Sequence, residues 1–161
     1  MIVVTNTSPL LNLAVIGEAR LLPELFGRVT APNMVREEID SLRLRDQRFR
    51  SADTANAAAF ATVRDASRVA LLSLHLDPGE AEAIALAIEL RADLILLDER
   101  RATRAARQLG LRTLGLLGVL LLAKRKGLID QVRPLLDRLE TDAGFWIAPD
   151  LRQQVCRAAE E

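Results

Sequence analysis

The stretch Leu94-Ile95-Leu96-Leu97-Asp98-Glu99 decides the fold prediction, because four aliphatic residues are followed directly by two acids. An apolar run of this length, bounded by charge, predicts a buried strand of a parallel sheet. The basic segment Arg100–Gln108 follows with helical spacing. Since open α/β sheets bind ligands just beyond the carboxyl ends of their strands, we expect Asp98 to lie at a functional site.

A helix start precedes this strand, and a helix and another strand follow it. Asp77 is a suitable N-cap, Pro78 suits the first turn, and Glu80 completes the spacing of a capping box. After the strand, Gly110 is expected to end the basic helix and Arg112-Thr113-Leu114 to form the next strand. This part of the chain therefore alternates between helix and strand.

The rest of the chain continues this alternation. Ile2-Val3-Val4 predicts the first strand, residues 6–9 a helix start, and residues 27–32 a second strand before a helix capped by Asn33. Further expected elements are a helix over 53–65, a strand over 69–72, an apolar helix over 116–126, a helix over 129–139 with Pro134 in its interior, an edge strand over 145–147 and a terminal helix over 151–159. The pattern predicts an α/β fold whose mainly parallel sheet is covered on both faces.

The composition excludes several classes of protein. The 161 residues suit one domain, expected over residues 1–161, and the formal net charge of zero argues against coating nucleic acid by bulk electrostatics. Only 3% of residues are aromatic, which argues against base-stacking platforms. Cys156 is the only cysteine, which excludes an intrachain disulfide and a cysteine-based zinc site. No signal peptide is recognised and the apolar run 114–123 is too short to span a bilayer, so we expect a cytoplasmic protein without a membrane partner.

Oxygen-bearing side chains recur at the predicted strand ends and on helices. The set consists of Asn6, Glu37, Glu38, Glu80, Glu82 and Asp98. If both of their strands are central and parallel, Asn6 and Asp98 leave the sheet at one edge, and the helix start at Glu80 lies close to it. Oxygen donors without His or Cys select a hard cation such as Mg²⁺ or Mn²⁺. The structural alternatives are helix caps at Asn6 and Asp98, a capping box at Glu80, and a solvated helix face at Glu37 and Glu38.

Four sequence blocks resemble, in order and spacing, those of PIN-domain proteins. The blocks are Thr5-Asn6-Thr7-Ser8-Pro9-Leu10-Leu11, Val35-Arg36-Glu37-Glu38-Ile39, Leu76-Asp77-Pro78-Gly79-Glu80-Ala81-Glu82-Ala83-Ile84-Ala85-Leu86-Ala87 and Ala92-Asp93-Leu94-Ile95-Leu96-Leu97-Asp98. The resemblance covers residues 2–123, with a helix, edge strand and helix expected over 124–161. It is greatest to compact prokaryotic members described as nucleic-acid-binding proteins, and extends to the VapC-type toxin ribonucleases.

The resemblance implies a single Rossmann-like three-layer α/β/α sandwich with a Mg²⁺- or Mn²⁺-dependent ribonuclease site. Carried over by position, the catalytic and metal-binding residues are Asn6, Glu38, Glu80 and Asp98. Glu80 is preferred to Glu82 because it lies 18 residues before Asp98, the family's usual interval. Glu37 and Glu82 remain alternates.

Asn6 departs from the family pattern, in which catalytic members usually have Asp at this position. An amide oxygen still ligates a cation, but the site loses one negative charge, which weakens metal binding. The main prediction is a PIN-type ribonuclease, with a role as the toxin of a toxin-antitoxin pair. The alternative is a catalytically weakened or inactive module that binds RNA or a partner protein. Expected partners are RNA, a small antitoxin protein and a second copy of the chain in a homodimer.

Four arginines follow Asp98 at helical spacing, and we expect them to bind the RNA backbone. They are Arg100, Arg101, Arg104 and Arg107. The alternative is an ordinary solvated helix face. His75, the only histidine, has no second His or Cys as a partner and is expected to be structural. A Rossmann-like nucleotide binder is disfavoured because no glycine-rich phosphate loop follows any predicted strand.

Overall fold

A five-stranded parallel sheet forms the middle layer of the protein. The computed structural model describes all residues, Met1 to Glu161. The strands are β1 (Val3–Thr5), β2 (Val29–Pro32), β3 (Ala59–Ala61), β4 (Leu94–Leu96) and β5 (Thr113–Leu114). Their order across the sheet is β3-β2-β1-β4-β5, and every neighbouring pair is parallel. β1 is therefore the central strand.

Helices cover both faces of the sheet. They are α1 (Thr7–Val15), α2 (Leu21–Phe26), α3 (Asn33–Arg45), α4 (Ala66–Leu72), α5 (Pro78–Glu89), α6 (Arg100–Gln108), α7 (Leu116–Arg125), α8 (Arg133–Thr141) and α9 (Pro149–Ala158), with a short 3-10 turn over Gln47–Phe49. The outer layers cover two separate apolar cores, to which alternate residues of β1 and β4 contribute. Val3 and Leu96 face the larger core, whereas Val4 and Ile95 face the smaller core under α5 and α6. The predicted three-layer α/β/α sandwich is confirmed.

The register of the two middle strands positions the functional edge. Thr5 of β1 lies opposite Leu96 of β4, and the N–H of Asn6 donates to the carbonyl of Leu96 at 3.1 Å. Both strands thus end at the same level. Asn6 and Asp98 leave the sheet at one edge, as the sequence predicted.

Two predictions for residues 53–72 are wrong. Residues 53–65 contain no helix, because residues 59–61 pair instead with the open edge of β2 and form β3. The expected strand over 69–72 is part of α4. The Asp65 carboxylate caps that helix by accepting from the N–H of Arg68, and Leu72 at the end of the helix packs against the smaller core. Tertiary pairing and a local cap therefore override propensity here.

Two predictions near the C-terminus are also wrong. Residues 145–147 form no strand, because the N–H of Phe145 bonds the carbonyl of Leu139 at the end of α8, while Trp146 remains 79% exposed. Pro134 is not interior to its helix but lies in the first turn of α8, where its missing N–H has no cost. The terminal helix is present as α9.

Two further details of the helices bear on the sequence predictions. Asn33 is not a cap: Pro32 occupies the N-cap position of α3, and the Asn33 amide donates to Thr62 Oγ1. Leu116 and Leu120 of α7 are fully buried, so the apolar side of this helix belongs to the core. None of the helices has the length and apolar character required to cross a membrane.

Candidate active site

The candidate site is organised around the short segment that follows β1. Asn6 occupies the N-cap position of α1, but its side chain makes no capping hydrogen bond. The residue is only 5% exposed, and its Oδ1 atom is buried with no hydrogen-bond partner. An unsatisfied buried oxygen costs about 1–3 kcal/mol, a cost that a cation bound to this oxygen would offset. The structural alternative of a side-chain cap at Asn6 is wrong.

Glu38 reaches this segment from α3. The hydroxyl of Thr7 donates to its Oε2 atom, and the backbone N–H of Gly79 donates to its Oε1 atom at 3.0 Å. A Cβ atom at position 79 would lie 2.7 Å from Glu38 Cδ, so the close approach requires glycine. Burial raises the pKa of Glu38 despite these two hydrogen bonds, and the charges of Asp77 and Glu82 raise it further.

Asp98 joins three elements at the end of β4. Its Oδ1 atom accepts from the N–H of Leu116 at 2.8 Å, and its Oδ2 atom accepts from the Ser8 hydroxyl at 3.1 Å. It does not cap α6, whose N-cap residue is Glu99, so that structural alternative is wrong. Burial raises the pKa of Asp98; the hydrogen bonds from Leu116 and Ser8 oppose this effect, and the charge of Glu99 adds to it.

Glu80 lies at the start of α5 and is only 6% exposed. It forms the predicted capping box, in which its Oε2 accepts from the N–H of Asp77 at 3.1 Å and its own N–H donates to the Asp77 carboxylate at 2.8 Å. Burial raises the pKa of Glu80, and the charges of Asp77, Glu99 and Glu38 contribute to the increase. The capping role is confirmed, and the carboxylate also lies within the field of the other acids.

The two alternates have different surroundings. Glu37 is exposed, and none of the hydrogen bonds at the segment after β1 involves it. Glu82 lies beside the first turn of α3, where its Oε2 accepts from the N–H of Met34 at 3.3 Å. Its charge raises the pKa of Glu38. The structure therefore brings Glu82 close to the site and leaves Glu37 outside it.

The sequence prediction missed three residues that belong to this arrangement. Thr7 and Ser8 hold the carboxylates of Glu38 and Asp98, and Glu99 raises the pKa of both Glu80 and Asp98. A signal for Glu99 was present, since it is the second acid after the buried run 94–97. The two hydroxyls carried no such signal, because serine and threonine at a helix start are usual.

The donor set suits a hard cation by its chemistry. It consists of carboxylate and amide oxygens, and the amide oxygen of Asn6 is buried without a partner. The structure contains no group of three or more His, Cys, Asp or Glu side chains arranged to hold a metal ion. The carboxylates of Glu38 and Asp98 instead accept hydrogen bonds from the protein. Glu38, Glu80 and Asp98 thus lie at one edge of the sheet, called the acidic edge below, without forming a closed metal cage.

An arginine-bearing face of α6 lies beside Asp98. Ala102 and Ala106 are fully buried and seat the helix on the smaller core, which leaves the arginines outward. Arg100, Arg101 and Arg104 are exposed and make no ion pair, while Arg107 Nε donates to Thr113 Oγ1 at 2.9 Å. A cavity of about 630 Å³ is lined by Asp98, Gly115 and three of the arginines, namely Arg100, Arg104 and Arg107.

The parallel sandwich and the acidic edge beside a basic helix place the chain among the Rossmann-like α/β proteins with a nuclease-type fold. The family model described as PIN domain matches residues 2–161, and the chain belongs to the PIN-domain family. The match extends through α8 and α9, beyond the sequence blocks. A comparison with curated proteins finds no match. PIN domains generally depend on divalent metal ions and are associated with nucleic-acid binding.

Proposed function

We propose that the protein is a metal-dependent endoribonuclease. The observation that carries this proposal is that one short segment binds two acidic side chains: Thr7 holds Glu38 and Ser8 holds Asp98, directly after the unpartnered oxygen of Asn6. Glu80 adjoins the same group through Gly79, whose N–H binds Glu38. Membership in the PIN-domain family supports the same chemistry.

Each residue has a defined part in the proposal. Asn6, Glu38, Glu80 and Asp98 would hold Mg²⁺ or Mn²⁺ through their side-chain oxygens. The bound ion would supply an activated water and stabilise charge on the phosphodiester. Thr7 and Ser8 orient the carboxylates of Glu38 and Asp98. These carboxylates would act as metal ligands and not as proton carriers.

The arginine face of α6 supports RNA as the substrate. The chain as a whole has zero formal charge, so attraction of a polyanion depends on a local patch. Arg100 and Arg104 line the same cavity as Asp98 and have no acidic partner. Guanidinium groups bind phosphate in two-point hydrogen bonds, so they would draw the backbone towards Asp98. Arg101 and Arg107 would extend this contact.

The decisive experiment compares two aspartates that flank the same strand. Asp98 lies beyond the carboxyl end of β4, whereas Asp93 precedes its amino end and accepts from the N–H of Ile2. Cleavage of fluorescent single-stranded RNA in Mn²⁺ should be lost in Asp98→Asn and retained in Asp93→Asn. Cleavage that continues unchanged in Asp98→Asn would overturn the assignment of the site.

A second candidate function is a non-catalytic module that binds RNA or a partner protein, and the neutral Asn6 favours it. Calorimetric titration with Mn²⁺ separates the two functions. A nuclease should bind Mn²⁺, and Asn6→Asp should tighten binding by about tenfold because it adds a charged ligand. If the wild type does not bind millimolar Mn²⁺ and Asn6→Asp does not change this, the module is the better description.

The proposed biological role is that of a cytoplasmic, homodimeric toxin neutralised by a small antitoxin protein. Induced expression in a bacterial host should then arrest growth, and Asp98→Asn should relieve the arrest. Light scattering of the purified chain measures whether it is a dimer. Growth arrest by Asp98→Asn equal to that of the wild type would contradict a toxic nuclease.

A further inference from the structure

A second cavity lies on the opposite side of α6 from the candidate active site. Its volume is about 360 Å³, within the range of roughly 300–1,000 Å³ that small-molecule sites occupy. Leu72, Leu76 and Ala105 give it an apolar floor, and His75 lies in its wall. The sequence suggested a structural role for His75, yet its side chain is exposed.

The rim of this cavity is cationic. Arg100, Arg101 and Arg104 all line it, and none of them forms an ion pair with an acidic side chain of the protein. An apolar floor beneath unpaired guanidinium groups suits an occupant with one flat apolar part and one anionic part. A nucleotide has both parts, since bases stack on imidazole and guanidinium planes while phosphate binds arginine.

The two cavities adjoin each other across α6. Arg100, Arg104 and Gln108 line both of them, so a chain crossing this helix would remain in contact with the same side chains. We propose that the cavity bounded by His75, Leu76 and Arg101 is a nucleobase-binding subsite, which holds an unstacked base of single-stranded RNA next to the phosphodiester at Asp98. This inference rests on the proposed function and names how its substrate is held.

A peptide with acidic and leucine side chains is the competing occupant. The nucleotide is favoured because the cavity is of small-molecule size and shares its arginines with the cavity at Asp98. A base also explains an imidazole in the wall, whereas a leucine side chain has no need of one. A peptide occupant would leave His75 without a response to free nucleotides.

His75 provides the test, because it is the only histidine and its ring signals in an NMR spectrum need no assignment. The full chain is titrated in EDTA with adenosine 5′-monophosphate and, separately, with ribose 5-phosphate. We expect a saturable shift of the His75 signals with the nucleotide and a much smaller shift with the sugar phosphate. Equal shifts would mean that only phosphate is bound, and no shift with either would exclude the subsite; both results overturn the proposal.

Two exposed leucines give matched variants for the same titration. Leu71 lines the cavity and is 68% exposed, whereas Leu74 is 71% exposed and does not line it. Leu71→Ala and Arg101→Ala should each weaken nucleotide binding by about fivefold to tenfold, and Leu74→Ala should not change it. Equal weakening by Leu71→Ala and Leu74→Ala would overturn the proposal.

Failure of this proposal can be told apart from failure of the proposed nuclease. RNA cleavage without a nucleotide response at His75 would retain the nuclease and remove the subsite. A nucleotide response at His75 without RNA cleavage in Mn²⁺ would retain the subsite and favour the non-catalytic RNA-binding module.

Discussion

Asp98 and Glu161 both accept a backbone N–H at the start of a helix, yet their pKa values shift in opposite directions. Asp98 binds Leu116 at the start of α7, where burial raises its pKa and the nearby Glu99 adds to the effect. Glu161 binds Val132 at 2.7 Å and Arg133 at 3.1 Å at the start of α8. Burial alone would raise the pKa of Glu161, but these hydrogen bonds and the charge of Lys124 outweigh it and lower the pKa.

The difference between the two carboxylates lies in their neighbours. Glu161 has a cation at 3.7 Å, the ammonium group of Lys124. Asp98, Glu38 and Glu80 have other acids as their charged neighbours, and burial raises the pKa of all three. Carboxylates held ionised without a cation reduce stability, which proteins tolerate mainly at functional sites. The acidic edge is therefore expected to need a bound cation, whereas Glu161 is satisfied by the chain itself.

Among the tests of this comparison, the largest effect should follow from moving one carboxylate of the acidic edge. Gly79→Ala places a Cβ atom against the Glu38 carboxylate, which must move and lose its bond to the backbone. RNA cleavage should fall by about 10–100-fold, as it does when a ligand loses its supporting hydrogen bond. Because the displaced group is the end of a flexible side chain, the melting temperature should change little. A large fall in melting temperature together with cleavage at the wild-type rate would contradict the proposed role of Glu38.

Metal should stabilise the acidic edge and not the Glu161 contact. At 100 times its dissociation constant, Mn²⁺ should raise the free energy of unfolding by about 2.7 kcal/mol relative to EDTA. Asp98→Asn should abolish this increase, and Glu161→Gln should preserve it. Thermal unfolding with and without Mn²⁺ measures both variants. Equal stabilisation of wild type and Asp98→Asn would mean that the ion binds elsewhere.

In EDTA the two neutralising variants should change stability in opposite directions. Asp98→Asn removes a buried charge among acids and keeps an acceptor for Leu116 and a partner for Ser8, so it should stabilise the fold by about 1 kcal/mol. Glu161→Gln loses the charge beside Lys124 and one of two acceptors at the start of α8, which should cost about 1 kcal/mol. Urea unfolding measures both. If Asp98→Asn lowered the free energy of unfolding as much as Glu161→Gln does, the proposed difference between the two carboxylates would be wrong.

The smallest expected effect is in the pH dependence of stability without metal. The pKa of Asp98 is raised above 3.8, so at pH values between 3.8 and the folded pKa the folded state binds more protons than the unfolded state. The free energy of unfolding therefore rises as the pH falls from neutral through the folded pKa. The pKa of Glu161 is lowered below 4.5, so its contribution is complete above that value and is lost as the pH falls through the folded pKa. Urea unfolding from neutral to about pH 4 should show the initial rise in the wild type and a smaller rise in Asp98→Asn. An identical profile in the two proteins would contradict the raised pKa.

Much of the fold was predictable because its signals are local. The apolar run 94–97 ends in acid, and the capping box of Asp77 and Glu80 joins residues three apart. The strand over 59–61 was not predictable, since an alanine-rich segment has no strand preference and pairs only because β2 offers an open edge. The helix α4 was missed where Asp65 caps it.

The candidate site likewise has a part that was predictable from the sequence and a part that was not. The residue types and their positions along the chain pointed to a set of oxygen donors, from which the resemblance to PIN domains selected Asn6, Glu38, Glu80 and Asp98. Their hydrogen-bond partners were not predictable, because Asp98 bonds Leu116 across 18 residues and Glu38 bonds Gly79 across 41. Glu99 was visible in the sequence as the second acid after the buried run 94–97, but its effect on the pKa of Glu80, which is remote in sequence, depends on the tertiary structure.

The sequence by itself determined the alternation of strands and helices, the helix start at Asp77 and the presence of acids after the apolar strand, since these depend on neighbours within one or two turns. Only the tertiary structure decided that Asn6 would be buried with an unpartnered oxygen and that Asp98 would bind α7 instead of capping α6. It also decided that the two cavities on α6 would share Arg100 and Arg104. These features depend on burial and on distances between segments remote in sequence, and spacing along the chain does not specify such distances.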